Sequence, residues 1–433
     1  MQADFRRIIE DRRAGRRHSM ADLTTIALGA ARAEIPDYQL SSWLMAAIFK
    51  PLSKAETVDL TVAMAQSGDR LSLESLPGPV LDKHSTGGVG DKTSIALLPI
   101  LAACGISVVK MSGSGLGITG GTVDKLHSIP GLRVQLTAEQ LLDQVRRVRI
   151  GITGQSADLA PADKVLYSLR DATATVDSIP LIVSSILSKK LAGGAKTILI
   201  DVKCGSGAFM RTLGDAQELA AWLTEIGGLC GLKVCTSITD MSQPLGAAVG
   251  NALEVKEALH VLRSPDRLSA SSQRFLSLCL RFATDALTLF GLGGEGEVRA
   301  AVYEGRAAHA AQLWLNDQGA PGDLDVIVAS LPQAPIVQEV TAEISGWIAA
   351  IDAEVAGRTV IELGGGRLSK EDQIDASVGV EFPGPVGSEV KSGDRLFTIH
   401  ARNREDAKSA EAQLKAGIKV SADRIPARPL FLD

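Results

Sequence analysis

Residues 82–94 read DKHSTGGVGDKTS; they follow the apolar pair Val80-Leu81 and precede the helical pattern IALLPILAACG at 95–105. This order predicts a strand, a loop and a helix. The glycines let the backbone approach an anion closely, and the first turn of the helix offers free N–H groups and the positive end of its dipole. The stretch therefore predicts a phosphate-binding loop in an α/β fold.

A second stretch repeats this arrangement. The apolar run ISVVK at 106–110 delivers Lys110, and MSGSGLGITGGT follows at 111–122 with hydroxyls, glycines and backbone amides. The carboxyl ends of neighbouring parallel strands lie at the edge of the sheet where open α/β folds bind ligands. We therefore expect the two loops to face one crevice.

Either loop alone also fits a different kind of site. The first approaches the P-loop of nucleotide kinases, but Asp91 stands where a glycine must precede the lysine. The second contains Gly115-x-Gly117-x-x-Gly120, a dinucleotide-binding pattern, yet the segment roughly 20 residues further on, TAEQLLDQV, is helical and is not a strand ending in an acid. Glycine-rich turns also occur for shape alone. The occurrence of both loops together favours phosphate binding.

The N-terminal part of the chain predicts helices. Ser19 and Ser53 each begin a capping-box pattern before an apolar periodic segment, so residues 1–66 are predicted to form a helical domain. The segment 163–193 also has a helical pattern, with a predicted break at Pro180. We expect this segment to be inserted into the helical domain.

The remaining chain predicts two further domains. Short β-branched runs alternate with helices over 80–162 and 194–340, which indicates an α/β domain with a large mixed or parallel sheet. Its predicted strands are ISVVKMS, RIGITGQ, KTILIDVK and LKVCTSITD. The segment 345–433 is predicted to be a C-terminal β-rich (α+β) domain. Its strand patterns are TVIELGGG and GVEFPGPVGSEVKSGDRLFTIHA, and a polar helix follows.

Composition excludes several classes of protein. The 433 residues contain 45 lysines and arginines against 50 aspartates and glutamates, so no excess of positive charge favours a nucleic acid partner. No apolar run approaches the length of a membrane span, and the basic N-terminus has no apolar stretch typical of a signal peptide. We expect a cytoplasmic protein without a membrane partner. The five scattered cysteines predict neither a disulfide framework nor a zinc site.

Five motifs, in chain order, resemble those of the thymidine phosphorylase and pyrimidine-nucleoside phosphorylase family: DKHSTGGVGD, SGxGLGxTGGTxDKL, LYSLRDATATVDSIPLIVSSILSKK, DVKCGSGAFM and DMSQPLGAAVGNALEVKEAL. The resemblance covers nearly the whole chain. It implies phosphorolysis of a pyrimidine nucleoside by inorganic phosphate. It also implies a homodimer whose subunits have a helical domain facing the α/β domain across a cleft.

Positions within these motifs imply the site residues. The phosphate ligands would be Lys83, Ser85, Ser94, Lys110, Ser112 and Thr122. The pyrimidine would be held by Arg170, Ser185 and Lys189, with His84 between the two groups. The apolar surface of the nucleoside pocket would come from Leu116, Tyr167 and Phe209.

The chemistry of the reaction agrees with these residue types. Displacing a base from C1′ builds positive charge on the sugar and negative charge on the leaving pyrimidine, so an anion must be held on one side and donors on the other. Arg170 and Lys189 can supply the donors, and His84 can act as a general acid. Ser185 and Lys189 are four residues apart and hence on one helical face. Alternatively, Arg170 pairs with a neighbouring aspartate and Lys189 is simply solvated.

No organic cofactor is expected, but the resemblance implies a potassium ion, since some family members bind one. Its ligands would be backbone groups of Gly90, Lys92, Leu245 and Ala248 with the Glu257 carboxylate. The lysine offers an alternative, because its own ammonium group can supply the positive charge beside Glu257. A rate indifferent to potassium would exclude the ion.

Three positions depart from the family pattern. Ser114, Ile118 and His127 stand where the family usually has arginine, histidine and glutamate. The preference among thymidine, deoxyuridine, uridine and a modified nucleoside therefore stays open. One rival function is a nucleoside-monophosphate phosphorylase, which needs a further basic pocket. The other is a non-catalytic phosphate- or nucleoside-binding protein of the same fold, against which the retained histidine, arginine and lysine argue.

Overall fold

The structure is a computed structural model that describes residues 5–113, 115, 118, 120–154, 158–367 and 372–433. The chain forms two compact units. The first unit comprises Met1–Ser75, Gln155–Ile198 and Gln217–Thr236. The second unit comprises Leu76–Gly154, Leu199–Ala216 and Ser237–Asp433. Within the described ranges, no helix has the length and apolar character needed to cross a membrane.

The elements follow one another along the chain in two stretches. The first stretch contains α1 (Phe5–Arg13), α2 (Met20–Ala31), α3 (Asp37–Phe49), α4 (Lys54–Ala65), β1 (Val80–Ser85), α5 (Thr93–Ala103), β2 (Ser107–Ser112), α6 (Thr122–Leu126), α7 (Ala138–Val148), β3 (Ile150–Gly154), α8 (Pro161–Ala172), α9 (Ile179–Gly193), β4 (Thr197–Cys204), α10 (Leu213–Leu229) and β5 (Lys233–Asp240). The second contains β6 (Ala248–Val249), α11 (Asn251–Arg263), α12 (Ala270–Phe290), α13 (Glu295–Tyr303), α14 (Arg306–Asp317), α15 (Leu324–Ser330), β7 (Ile336–Thr341), β8 (Gly346–Ile351), α16 (Ala353–Val360), β9 (Gly379–Glu381), β10 (Glu389–Val390), β11 (Arg395–Ala401), α17 (Arg404–Gly417) and β12 (Ile418–Ser421).

The first unit is mainly helical. The predicted capping boxes are confirmed, because the Ser19 and Ser53 hydroxyls accept from the backbone N–H groups of Asp22 and Glu56 at the starts of α2 and α4. Helix α4 packs against α2 and α9, and α8 packs against α2 and α3. Their apolar faces enclose a core that includes Trp43. Burial of these faces holds the helices together.

The predicted break at Pro180 is wrong in its position. Helix α8 ends at Ala172, and Pro180 lies in the first turn of α9. A proline is tolerated there because its missing N–H would have no partner within the helix. The chain turns earlier, over residues 173–178, where Ala174 has a φ of +54°.

A five-stranded sheet has the order β3-β2-β1-β4-β5, and most of its residues belong to the second unit. The four predicted strands are confirmed as β2 to β5, and the pairs β1–β2 and β2–β3 are parallel. Helix α5 is buried on all sides between α11, α12 and α14, which explains its continuous apolar sequence. The parallel pairing brings the carboxyl ends of β1 and β2 to one edge.

The C-terminal region is β-rich, as predicted, with antiparallel sheets in the orders β10-β8-β12 and β6-β9-β11-β7. The prediction that TVIELGGG is a strand is wrong. This segment completes α16 and continues as a wider helical turn over Ile361–Gly365. Asp352 caps α16, and Ala353, Ala356 and Val360 are buried at helical spacing, so tertiary packing overrides the β-branched composition.

Candidate active site

The loop after β1 is bent by glycines and tied to strand β4. Gly87 and Gly90 have φ values of +94° and +75°, a backbone conformation that favours glycine. The backbone N–H of Thr86 donates to the Asp201 carbonyl oxygen at 3.0 Å, and the Thr86 hydroxyl accepts from the Lys203 N–H at 2.9 Å. The loop therefore has a fixed path above the sheet edge.

Most of the predicted phosphate ligands lie at this edge. Lys83 and Ser85 are on β1, Lys110 and Ser112 are on the adjacent β2, and Ser94 lies in the first turn of α5. The Nζ atom of Lys110 donates to the Lys83 carbonyl oxygen at 2.7 Å, and both lysines are buried. Two buried cations and several hydroxyls at one edge make a site suited to an anion.

Other residues predicted for the phosphate and nucleoside sites belong to several different parts of the chain. Thr122 is the first residue of α6. His84 is half-buried on β1, and because side chains alternate along a strand it faces away from its neighbours Lys83 and Ser85. Phe209 is 40% exposed in the segment after β4. Leu116 lies outside the described residues.

A buried polar network beneath the first loop was missed by the sequence analysis. Burial raises the pKa of Asp91, but the charges of Lys83 and Lys203 and hydrogen bonds from Ser85 and Thr93 hold it well below its usual value. Lys203 in turn lies 2.6 Å from Oδ2 of Asp201, and both side chains are fully buried. The signal was available, because DVK places two charged residues at alternate positions of an otherwise apolar strand.

The second loop is held by two side chains that follow it. Oδ2 of Asp124 accepts from the N–H groups of Gly115 and Gly121 at 2.6 and 3.3 Å, and Oδ1 lies 3.0 Å from the Arg367 guanidinium. Nζ of Lys125 donates to the Gly120 carbonyl oxygen at 2.7 Å. These contacts fix both ends of the loop.

Lys125 also joins the second loop to α11. Its Nζ lies 3.3 Å from Oε2 of Glu254, and both side chains are buried. Burial raises the pKa of Glu254, while the charges of Lys125 and Lys92 lower it in part. Ile118, one of the three residues that depart from the family pattern, packs closely against Gly357. A Cβ added to Gly357 would lie 2.9 Å from the Ile118 carbonyl oxygen.

The other two departing positions are less informative. His127 is exposed and ends α6, and Ser114 lies outside the described residues.

The residues expected to hold potassium come together, but their oxygen atoms surround the ammonium group of a lysine. Nζ of Lys92 donates to the carbonyl oxygens of Leu245 and Ala248 at 2.6 and 2.7 Å and lies 2.8 Å from Oε2 of Glu257. Gly90 packs against the same two carbonyl groups. The oxygen atoms that would bind the ion are thus occupied by an ammonium group, so this set does not fit an additional cation.

The residues predicted to hold the pyrimidine lie in the first unit. Nζ of Lys189 donates to the Ser185 hydroxyl at 3.0 Å, pairs with the Asp163 carboxylate and lies 5.5 Å from the centre of the Tyr167 ring. Burial raises the pKa of Tyr167 to about 12, so its hydroxyl stays protonated at neutral pH. Lys189 is not simply solvated, and its aspartate partner was missed.

Arg170 is buried and donates to backbone carbonyl groups in the turn between α8 and α9 and at the start of α9. Its Nε, Nη2 and Nη1 atoms donate to the carbonyl oxygens of Thr175, Val176 and Leu181 at 3.1, 2.7 and 3.0 Å. Burial lowers the pKa of the guanidinium from its usual value, and the charge of Asp163 opposes this. A guanidinium has five N–H groups, so two remain for a ligand beyond these bonds.

Comparison with known protein families divides the chain into three matching stretches. Residues 6–68 match the helical bundle domain of the glycosyl transferase family, and residues 77–307 match its a/b domain. Residues 347–421 match the C-terminal domain of pyrimidine nucleoside phosphorylase. The fold and the site therefore define a glycosyl transferase with a helical bundle and an α/β domain.

Individual relatives narrow the class. The chain is 43% identical over 433 residues to a pyrimidine-nucleoside phosphorylase of Geobacillus stearothermophilus, covering 98% of each chain. It is 42% identical to the enzyme of that name from Bacillus subtilis, covering 96% of each. The chain belongs to the pyrimidine-nucleoside phosphorylase family, which confirms the resemblance.

A solved structure shares the fold at greater distance. The anthranilate phosphoribosyltransferase of Thermus thermophilus superposes with a TM-score of 0.58 at 15% identity, over 72% of this chain and 98% of that chain. At this identity the likeness concerns the fold alone.

Proposed function

We propose that this protein catalyses the phosphorolysis of pyrimidine nucleosides to free base and pentose 1-phosphate. The observation that carries the proposal is the set of buried lysines and hydroxyls at the carboxyl ends of β1 and β2, in a chain of this family. Lys83, Lys110 and the hydroxyls of Ser85, Ser94, Ser112 and Thr122 would hold inorganic phosphate.

The reaction exchanges one bond at C1′ for another. A phosphate oxygen forms the new bond as the bond from C1′ to the base nitrogen breaks, and the bonding pair leaves with the pyrimidine. Held phosphate is already oriented for attack, which lowers the entropic part of the barrier. Arg170 and Lys189 would stabilise the negative charge that develops on the base, and donors that meet charge only in the transition state raise the rate.

The remaining side chains of the proposed site have supporting roles. Ser185 would donate to the pyrimidine, and His84 would supply a proton or hydrogen bond to the leaving base, worth roughly 10²–10⁴-fold as a general acid. Leu116, Tyr167 and Phe209 would line the nucleoside pocket. Asp163 would hold Lys189 in place, as the pairing of their side chains suggests.

The proposal is tested by incubating the purified protein with phosphate and a panel of nucleosides and nucleotides. Free base and sugar 1-phosphate are measured for thymidine, uridine, deoxyuridine, a purine nucleoside and a pyrimidine nucleoside monophosphate. We expect both products from the pyrimidine nucleosides. Release of neither product from any of them would favour the non-catalytic binding protein, and turnover of the monophosphate alone would favour the nucleotide phosphorylase.

We further propose that the protein is a homodimer. Tyr38, Met45 and Phe49 lie along one face of α3, and their exposed fractions are 71%, 39% and 75%. Such an apolar face favours contact with another protein surface, and a second copy supplies the same face by two-fold symmetry. Light scattering after size exclusion should give twice the chain mass. Tyr38→Ser with Phe49→Ser should give the monomer, whereas Leu292→Ser, at another exposed position, should not.

A further inference from the structure

We propose that the ammonium group of Lys92 is a built-in cation, which takes the place of a monovalent metal ion and makes the protein independent of potassium. The proposal goes beyond the proposed function, because it concerns how the first anion loop is held and not which substrate is used. It rests on coordination, space and charge around Lys92.

Coordination at Lys92 is complete. An ammonium group has three protons, and the carbonyl oxygens of Leu245 and Ala248 and the Glu257 carboxylate are three acceptors. The carboxylate is satisfied in turn, since it also accepts from the N–H groups of Ala247 and Ala248 and from the Ser272 hydroxyl. Each of the three acceptors is therefore engaged by the ammonium group.

The space around the ammonium group is closed. The side chain of Lys92 is fully buried, and the Phe275 ring centre lies 5.3 Å from Nζ. A Cβ added to Gly246 would lie 2.9 Å from Nζ and 2.6 Å from Oε1 of Glu257. Even a methyl group therefore has no room on that side, and a cation at this point would lie 2.9 Å from the ammonium nitrogen, where the two positive charges repel each other.

The charge balance leads to the same conclusion. Lys92 and Glu257 form one positive and one negative charge, and the Glu257 side chain is 6% exposed. A second cation among the same oxygens would leave a net positive charge in a buried place, which is strongly unfavourable. The ammonium group and a metal ion are thus mutually exclusive occupants.

Lys92 joins two segments that are distant in the sequence. Lys92 is the residue before α5, at the end of the first loop, whereas its two carbonyl acceptors lie 153 and 156 residues further along the chain. A bound ion can join such segments only at sufficient concentration, but a side chain joins them permanently. Lys92 is therefore a positioning residue that holds the first loop irrespective of the salt present.

The test compares wild type, Lys92→Thr and Lys92→Met in potassium, sodium and choline chloride at equal ionic strength. Thermal unfolding midpoint and phosphorolysis rate are measured in each. Wild type should show the same midpoint in all three salts and rates within about twofold. Lys92→Thr opens a space beside an unpaired carboxylate, so potassium should raise its midpoint and increase its rate by about tenfold over choline. Lys92→Met fills that space without a charge, so none of the three salts should restore its unfolding midpoint or its phosphorolysis rate.

A wild type that unfolds at a higher temperature in potassium than in choline, or whose rate requires potassium, would overturn the proposal. Equal behaviour of Lys92→Thr in the three salts would also overturn it. If the variant does not fold, the comparison of the wild-type unfolding midpoints in the three salts still tests the proposal. They do not depend on turnover, so an inactive wild type would refute the proposed function without affecting this result.

Discussion

Lys189 and Ser185 lie one turn apart on α9, and Nζ of Lys189 donates a hydrogen bond of 3.0 Å to the Ser185 hydroxyl. The same ammonium group pairs with Asp163 of α8, whose side chain is only 3% exposed. The Oδ1 atom of this aspartate has no hydrogen-bond partner within the described part of the chain. The buried carboxylate therefore depends on Lys189 for its stabilisation, and Lys189 depends on it for its orientation.

Asp163→Asn should reduce both activity and stability. The amide keeps the shape of the side chain but removes the charge that orients Lys189, so we expect kcat/KM for nucleoside to fall by about tenfold. The free energy of unfolding should fall by about 3 kcal/mol, because one partner of a buried pair is lost. Steady-state kinetics and urea unfolding measure the two effects. Asp171→Asn, on the exposed side of α8, should resemble wild type, and identical kinetics in both variants would contradict the role of Asp163.

Arg170→Met should destabilise the first unit as well as impair turnover. Methionine keeps part of the apolar volume but removes the donor to the carbonyl oxygens of Thr175 and Val176 in the turn between α8 and α9 and of Leu181 in α9. We expect a loss of about 3 kcal/mol in urea unfolding, since each lost hydrogen bond from a charged group contributes about 1.5 kcal/mol or more before relaxation. Lys164→Met, exposed on the same helix, is the control. A wild-type unfolding curve for Arg170→Met would mean that these bonds do not stabilise the turn.

Ser112→Ala should raise the KM for phosphate and leave the KM for nucleoside nearly unchanged. Ser112 is half-buried at the end of β2, beside the lysines of the proposed phosphate site. Removing a hydroxyl that donates to an anion should raise KM for phosphate by about tenfold, while KM for nucleoside changes little. Ser277→Ala, on the exposed side of α12, should change neither. An equal rise in both KM values would show that Ser112 supports the site as a whole.

Local patterns in the sequence predict much of the fold. The strands β2 to β5 are apolar β-branched runs, and the capping boxes at Ser19 and Ser53 depend on residues three positions apart, so both signals are contained in short stretches. TVIELGGG was misassigned because a β-branched run does not reveal that α16 buries one face. Composition alone does not determine an element whose conformation depends on its packing partners.

The candidate site divides in the same way. Motif positions identify the lysines and hydroxyls near the anion loops, but they do not reveal which charges pair. Lys189 meets Asp163 across 26 residues, and Lys92 meets the Leu245 carbonyl across 153. Such pairs form only when folding brings distant segments together. Burying a charge costs free energy, and this cost is offset only by a well-placed partner, whose position a short sequence pattern does not reveal. The ammonium group in the expected potassium position is the clearest instance.

His18 predicts a stability that declines in mildly acidic solution. Its Nε2 accepts a hydrogen bond from Nε1 of Trp43 at 3.0 Å, which requires an unprotonated nitrogen. Burial lowers the pKa of His18 below its usual value and the charge of Arg12 lowers it further, while Glu56 among other acids opposes them. Protonation therefore favours the unfolded chain.

The contribution of His18 should be complete above the pKa of the unfolded histidine, about 6.5, and should be lost progressively as the pH falls below it. Urea unfolding at about pH 7.5 and about pH 5.5 measures the loss. His18→Gln retains an acceptor for Trp43 but does not titrate, so its loss should be smaller than that of wild type. His309→Gln, exposed on α14, should keep the full loss. Equal losses in wild type and His18→Gln would assign the acid sensitivity to other groups, because only a titrating histidine at this position makes the tryptophan lose its acceptor.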